Sequence, residues 1–171
     1  MTEISLSTWA NLAEIVGAGS IITGLAFGWV QVRYFRAQQR DAVAINLMQT
    51  FYDQDLAHAL ALLQPLPDGI SNAELREKGD AYVKAAITIT TSFETMGLLV
   101  FRRMATLDLV LDLAGGIVTT MNRKLRNWQN EMRESQDQPS WGEWFEWLGD
   151  QAEKSKNSKE PAHVQHRDWQ A

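Results

Sequence analysis

The chain has 171 residues, of which 45% are hydrophobic, 22% charged and 9% aromatic. It contains no cysteine, which excludes a disulfide framework, a thiolate nucleophile and a cysteine-ligated metal. A net charge of −5 argues against neutralising nucleic-acid phosphate as its main task, and the length fits one domain with appendages.

The first element is an apolar run, Trp9 to Val30, whose only strongly polar members are Asn11 and Glu14. At ~1.5 Å per residue it reaches roughly 33 Å, enough for a ~30 Å hydrocarbon core. Trp9 and Trp29 stand near its ends, with Tyr34 and Phe35 beyond, where aromatic rings favour the headgroup boundary. The first eight residues carry Glu3 and no Lys or Arg, unlike the basic start of a cleaved signal peptide. The sequence therefore predicts a retained transmembrane helix over 9–32, with 1–8 outside the cytoplasm. All 16 Lys and Arg residues follow Val32, beginning with Arg33, Arg36 and Arg40. That asymmetry sets the expected topology as N-terminus out and the remainder in the cytoplasm.

The span has a small-residue face. Gly17, Ser20, Gly24 and Gly28 fall within a sector of roughly 80° at the helical repeat. Small side chains let helix backbones approach closely in lipid, and Gly24 and Gly28 form a GxxxG pair. These four are the expected oligomer interface. Glu14 and Gln31 lie on or beside the same face and are candidates to point at an oligomer axis, since ionisable groups in spans usually face protein or a water-filled cavity.

No Gly or Pro interrupts Trp29 to Tyr52, so the span is expected to continue as one helix, with Val43, Ile45, Leu47, Met48, Phe51 and Tyr52 marking a core-facing side. A short helix, Asp55 to Gln64, should end at the turn residues Pro65 to Gly69. Ser71 and Glu74 form a capping-box signature, and the helix that follows should run to about Arg103 with a break at Gly79-Asp80. Its Ala81–Phe101 stretch is apolar, but Lys84 and Glu94 argue against a second span. Thr106 is expected to cap a short helix, LDLVLDLA, stopping at Gly115-Gly116, before another over Ile117 to Glu134. Ser140 and Glu143 suggest a second capping box, opening WGEWFEWLGDQ. The expected organisation is all-α: the span, a cytoplasmic helical bundle over 33–152, and a flexible polar tail over 153–171.

Catalytic and metal-binding signatures are scarce. His58 is isolated, and His163 and His166 lie in the tail without carboxylate partners. Asp108 and Asp112 share a helix face but lack a matching His. No phosphate-binding loop, nucleophile elbow or HExxH is present. Neither a cofactor nor a metal is expected. Glu94 sits among Phe93, Met96, Leu98 and Leu99 and should need a buried ion-pair partner, for which Arg102, Arg103, Arg123 and Arg133 are candidates. The run Arg123 to Trp128 mixes basic and aromatic residues but reads better as a solvated face than as a nucleic-acid surface. Trp141, Trp144, Phe145, Trp147 and Leu148 have helical spacing and should dock the last helix onto the bundle. Glu143, Glu146 and Asp150 on that helix argue against its lying on a membrane.

Phe93-Glu94, Gly97, Leu107 to Val110, Asp112, Gly116, Trp128 and Arg133, taken with the preceding span and basic collar, resemble an uncharacterised bacterial family with a domain of unknown function. The likeness covers roughly 9–150 and implies a bacterial inner-membrane protein with one span and a small helical domain. In layout alone the chain is also similar to the accessory pore-forming membrane protein of type VI-B CRISPR systems, though it lacks the R-x4–6-H ribonuclease motif of their helical domains. Two functions then compete, neither enzymatic. One is a self-associating membrane protein that forms a pore or perturbs the membrane in a stress or defence response. The other is a membrane-tethered adaptor docking a protein partner through its helical domain. The expected partners are the lipid bilayer and further copies of the chain.

Overall fold

The computed structural model describes residues 6–51, 53–158 and 160–170. Residues 1–5, most of the segment expected outside the cytoplasm, lie outside that set, as does Tyr52. So do the side chains of Arg36 and Arg40 and of the helix residues Val43, Ile45, Leu47, Met48 and Phe51. Every regular element among the described residues is helical: α1 (Leu6–Phe51), α2 (Gln54–Leu63), α3 (Asn72–Lys78), α4 (Asp80–Phe101), α5 (Leu107–Ser135), α6 (Glu143–Ser158) and α7 (Ala162–Gln165). The chain divides into two compact units, Met1–Ala42 and Val43–Ala171.

Two helices are long and apolar enough to cross a membrane, at Glu14–Phe35 within α1 and at Asp80–Phe101. Their surroundings differ. Every residue from Glu14 to Phe35 is exposed. Helix α4 packs on α2, α3, α5 and α6, burying Ala86, Ile89, Phe93 and Met96 at the spacing of one helical face. The β-branched run Ile87 to Thr91 is helical throughout. Thr91 and Thr95 turn their hydroxyls back onto the carbonyls of Ile87 and Thr91, so the extra polarity is absorbed locally.

The short helices begin as their residue types dictate. Asp53 caps α2 by accepting the Asp55 and Leu56 N–H groups at 2.8 and 3.1 Å. Ser71 and Glu74 form a reciprocal capping box on α3, and Gly79, at φ +110°, separates α3 from α4. The hydrogen bonds from the Ser71 N–H and hydroxyl hold the exposed Glu74 carboxyl below its usual range.

Helix α5 overturns one expectation: it does not stop at Gly115-Gly116. Its buried residues Val110, Ala114, Val118, Met121, Leu125 and Trp128 form a single stripe that continues across the two glycines. Burial of that stripe outweighs the cost of two helical glycines, about 1 kcal/mol each relative to alanine. Further along, the α2–α3 loop joins the helix through its backbone. The Gly69 and Ile70 N–H groups donate to the Arg123 and Lys124 carbonyls at 3.0 and 2.9 Å, and the Trp128 N–H donates to the Ile70 carbonyl at 3.1 Å. Lys124 Nζ donates to the Leu66 carbonyl, and Asn127 Nδ2 to that of Gly69 at 2.6 Å.

Helix α6 lies across α4 and α5, burying Phe145, Leu148, Gly149 and Ala152. It runs past the expected start of the tail at residue 153 to Ser158.

Candidate functional site

Two sets of residues position what this chain could do: the face of α1 that carries its small residues, and the socket that receives α6.

On α1, Gly17, Ser20, Gly24 and Gly28 are exposed. A Cβ built on Gly17, Gly24 or Gly28 would meet nothing within 4 Å. Among the described residues, nothing in the packing calls for a glycine at these positions. Ser20 donates its hydroxyl to the Val16 carbonyl at 2.8 Å, and Thr23 donates to Gly19 at the same distance. Both polar groups are thus satisfied without leaving the helix. Glu14, Gln31 and Arg33 are exposed, as are the large apolar residues Ile15, Ile22, Leu25 and Phe27.

The socket is built from α4 and α5. Glu94 Oε2 accepts the Phe145 N–H at 2.8 Å, so a carboxylate on α4 caps the start of α6. This differs from the ion pair expected of Glu94. Its partners are main-chain N–H groups at a helix N-terminus, where four donors otherwise lack acceptors and the dipole favours an anion. Burial pushes its carboxyl above the ordinary value of 4.5. The Phe145 and Trp144 N–H groups pull it back, nearby Glu143 adds to the rise, and Arg133 opposes it least. Of the four arginines considered for it, Arg133 instead donates from Nε to the Trp141 carbonyl at 2.7 Å and pairs with Glu146 at 2.7 Å. Arg123 pairs with Asp68.

The expected Ser140–Glu143 capping box is absent among the described hydrogen bonds. Ser140 gives its backbone carbonyl, not its hydroxyl, to the Glu143 N–H. Gly142 turns the chain with φ +66°, and Glu94 supplies the cap. Gly97 marks the crossing of α4 and α6: a Cβ there would sit 2.2 Å from the Trp144 carbonyl oxygen. At Gly149 a Cβ would meet the Asn122 side chain at 2.3 Å. The Phe93 and Phe145 rings lie 5.3 Å apart, tilted to each other, and Trp128 meets Trp141 edge-on at 6.5 Å.

A cavity of about 190 Å³ opens beside this cap, lined by Thr90, Thr91, Glu94, Gln138, Ser140, Trp141 and Gly142. Thr90 Oγ1, Trp141 Nε1 and, next to Gly142, both amide atoms of Gln129 are buried without a protein hydrogen-bond partner. The site can hydrogen-bond a small polar molecule. Its lining holds one carboxylate, already engaged with backbone, and no histidine.

The remaining candidates are dispersed. His58 is exposed on α2 and His163 and His166 on the last segment; no group of three metal-ligating side chains occurs among the described residues. Asp112 is exposed, and Asp108 is engaged. Within the basic run, Arg123 and Lys124 face Asp68, Arg126 faces Glu146 and Asp150, and Leu125 and Trp128 are buried.

Neither a curated protein nor a solved structure matches the chain. One family does, a domain of unknown function (DUF4760), over residues 15–151. That stretch holds both the apolar helix from Ile15 onward and the socket residues Phe93, Glu94, Gly97, Trp128 and Arg133. A match over most of the length, spanning both regions, makes this chain a member of the DUF4760 family.

Proposed function

We propose that this chain is a non-enzymatic, single-pass membrane protein of the bacterial inner membrane whose helical domain faces the cytoplasm. Its spans associate through Gly17, Ser20, Gly24 and Gly28, forming a pore or perturbing the membrane in a stress or defence response. The observation that carries this reading is the fully exposed apolar segment Glu14–Phe35, whose glycines have open space where a neighbour would pack. Water is a poor solvent for twenty-two such residues, and a bilayer is a good one. Within lipid, helices associate by close packing, which open glycines permit. Arg33 on the far side of a span with no preceding basic residue favours a cytoplasmic C-terminus. Glu14 and Gln31 would then face the axis and set the preference for cations.

The decisive experiment is the mass of the detergent-solubilised particle, joined to conductance in proteoliposomes. A ring of several copies that conducts supports the pore, and Glu14→Gln should then change cation conductance with assembly intact. A small assembly without conductance moves the function to the tethered adaptor. Protease protection of a C-terminal tag in sealed inverted and right-side-out vesicles reads the orientation, and digestion from the outer face would overturn it.

A further inference from the structure

The turn that ends α4 combines features that the bundle itself does not explain. Phe101 and Met104 are each 54% exposed. Arg102 and Arg103 lie between them, exposed, and enter none of the ion pairs among the described residues. Arg103 has φ +58°. The Met104 N–H donates to the Leu99 carbonyl at 2.9 Å and the Arg103 N–H to that of Val100 at 2.9 Å, a closing motif whose left-handed position ordinarily takes glycine. A residue with a Cβ is conformationally disfavoured there, and the Arg103 guanidinium has no partner within the described fold. Beside the turn, the Phe101 ring lies 4.4 Å from Trp144 and 6.2 Å from Trp147. Of the three α6 acids that argued against a membrane role, Glu146 is engaged by Arg133 and Arg126 and Asp150 by Arg126, while Glu143 is exposed.

We propose that this turn is a second membrane contact, with Phe101 and Met104 inserted at the headgroup boundary of an anionic bilayer and Arg102 and Arg103 on its phosphates. Exposed apolar and aromatic side chains interleaved with unpaired arginines match the interfacial layer of such a bilayer in both polarity and charge. The inference stands on the turn itself. The span proposed for α1 would add to it by holding the same bilayer at high effective concentration.

The absence of cysteine makes the test direct. Met104→Cys in the full chain carries a single nitroxide, and the chain is placed in nanodiscs of mixed phosphatidylglycerol and phosphatidylcholine. Glu77→Cys serves as the aqueous reference, and Ile22→Cys reads the span separately. At position 104, collision with oxygen should rise several-fold over position 77 while collision with a water-soluble nickel chelate falls. Arg103→Gly should raise the melting temperature by relieving the left-handed arginine, yet weaken the immersed population about five-fold, the effect of one basic residue at an anionic surface. Arg102→Gln, which leaves the turn geometry alone, should weaken it likewise. Nickel access at 104 equal to that at 77 overturns the proposal. Shielding from both reagents also overturns it, and points to a protein partner. A label at Ile22 in water with one at 104 in lipid would remove the span and leave this contact standing.

Discussion

Gly97 and Gly24 are both helical glycines, and they stand in opposite situations. At Gly97 the space a side chain would take is filled by the Trp144 carbonyl of α6. At Gly24 that space is open. In the bundle, the glycine and the group that requires it belong to one chain, so the reason for the residue lies within the fold. In α1 the chain supplies the glycine alone, and the proposed reason lies in lipid or in another copy. The same division runs through the polar residues. Glu94 has found its acceptor role at the start of α6, whereas Glu14 is exposed.

The strongest way to break this comparison is to remove α6 altogether. Truncation before Ser140 strips Phe145, Leu148 and the Glu94 cap from the bundle, at ~1.5–3 kcal/mol for each large side chain fully buried. For a small domain that is a large share of total stability, so the cooperative melting transition should be lost while membrane fractionation of the fragment persists. A retained transition would show that α6 is dispensable.

Paired substitutions then test the two glycines against each other. Gly97→Ala forces a Cβ against backbone that cannot rotate away, and should cost about 1–3 kcal/mol, read as a lowered urea midpoint. Gly24→Leu should leave that midpoint unchanged and lower the cross-linked oligomer, with Ile22→Leu as the inert control. Full cross-linking of Gly24→Leu would take the stripe out of the interface.

The smallest effect concerns Glu94. Its pKa is raised in the fold, so the native state binds the extra proton more readily than the unfolded chain. The linked stability is fully present below the unfolded value near 4.5 and is lost as pH rises through the folded value. The difference between wild type and Glu94→Gln should therefore change across that mildly acidic window and stay constant above it. Glu94→Ala removes the cap at every pH and should cost about 1–2 kcal/mol by chemical denaturation. A wild-type-minus-Gln difference that is flat from pH 4 to 7 would contradict the raised carboxyl.

Much of the bundle is legible in the sequence. The Ser71–Glu74 box and the break at Gly79 follow from local rules, because the groups that decide them are neighbours in sequence. At Ile87–Thr91 the β-branched residues permit a strand locally, and the length of the apolar stretch favours the helix that forms. Helix α5 defied the rule that paired glycines end a helix, since the deciding quantity was the burial of a stripe on both sides of them. The partner of Glu94 was hidden for a different reason. Backbone N–H groups belong to every residue except proline, so no side-chain type betrays a carboxylate that caps a helix 51 positions away. The left-handed Arg103 and its unpaired charge were likewise invisible, because arginine gives no local signal for that conformation.

The backbone of Ile70, placed between the Lys124 carbonyl and the Trp128 N–H, has one more consequence. Because the α2–α3 loop shares backbone hydrogen bonds with α5 at that turn, the loop and the middle of α5 should become protected in the same folding event. The Gly69 and Ile70 amides, which sit in a connection between helices, should exchange with deuterium as slowly as the core of α5 rather than at the rate of a loop. Because the Trp128 ring meets Trp141 at the mouth of the α6 socket, an opening that begins in this loop would release the last helix as well, making the loop, the middle of α5 and the start of α6 a single cooperative unit.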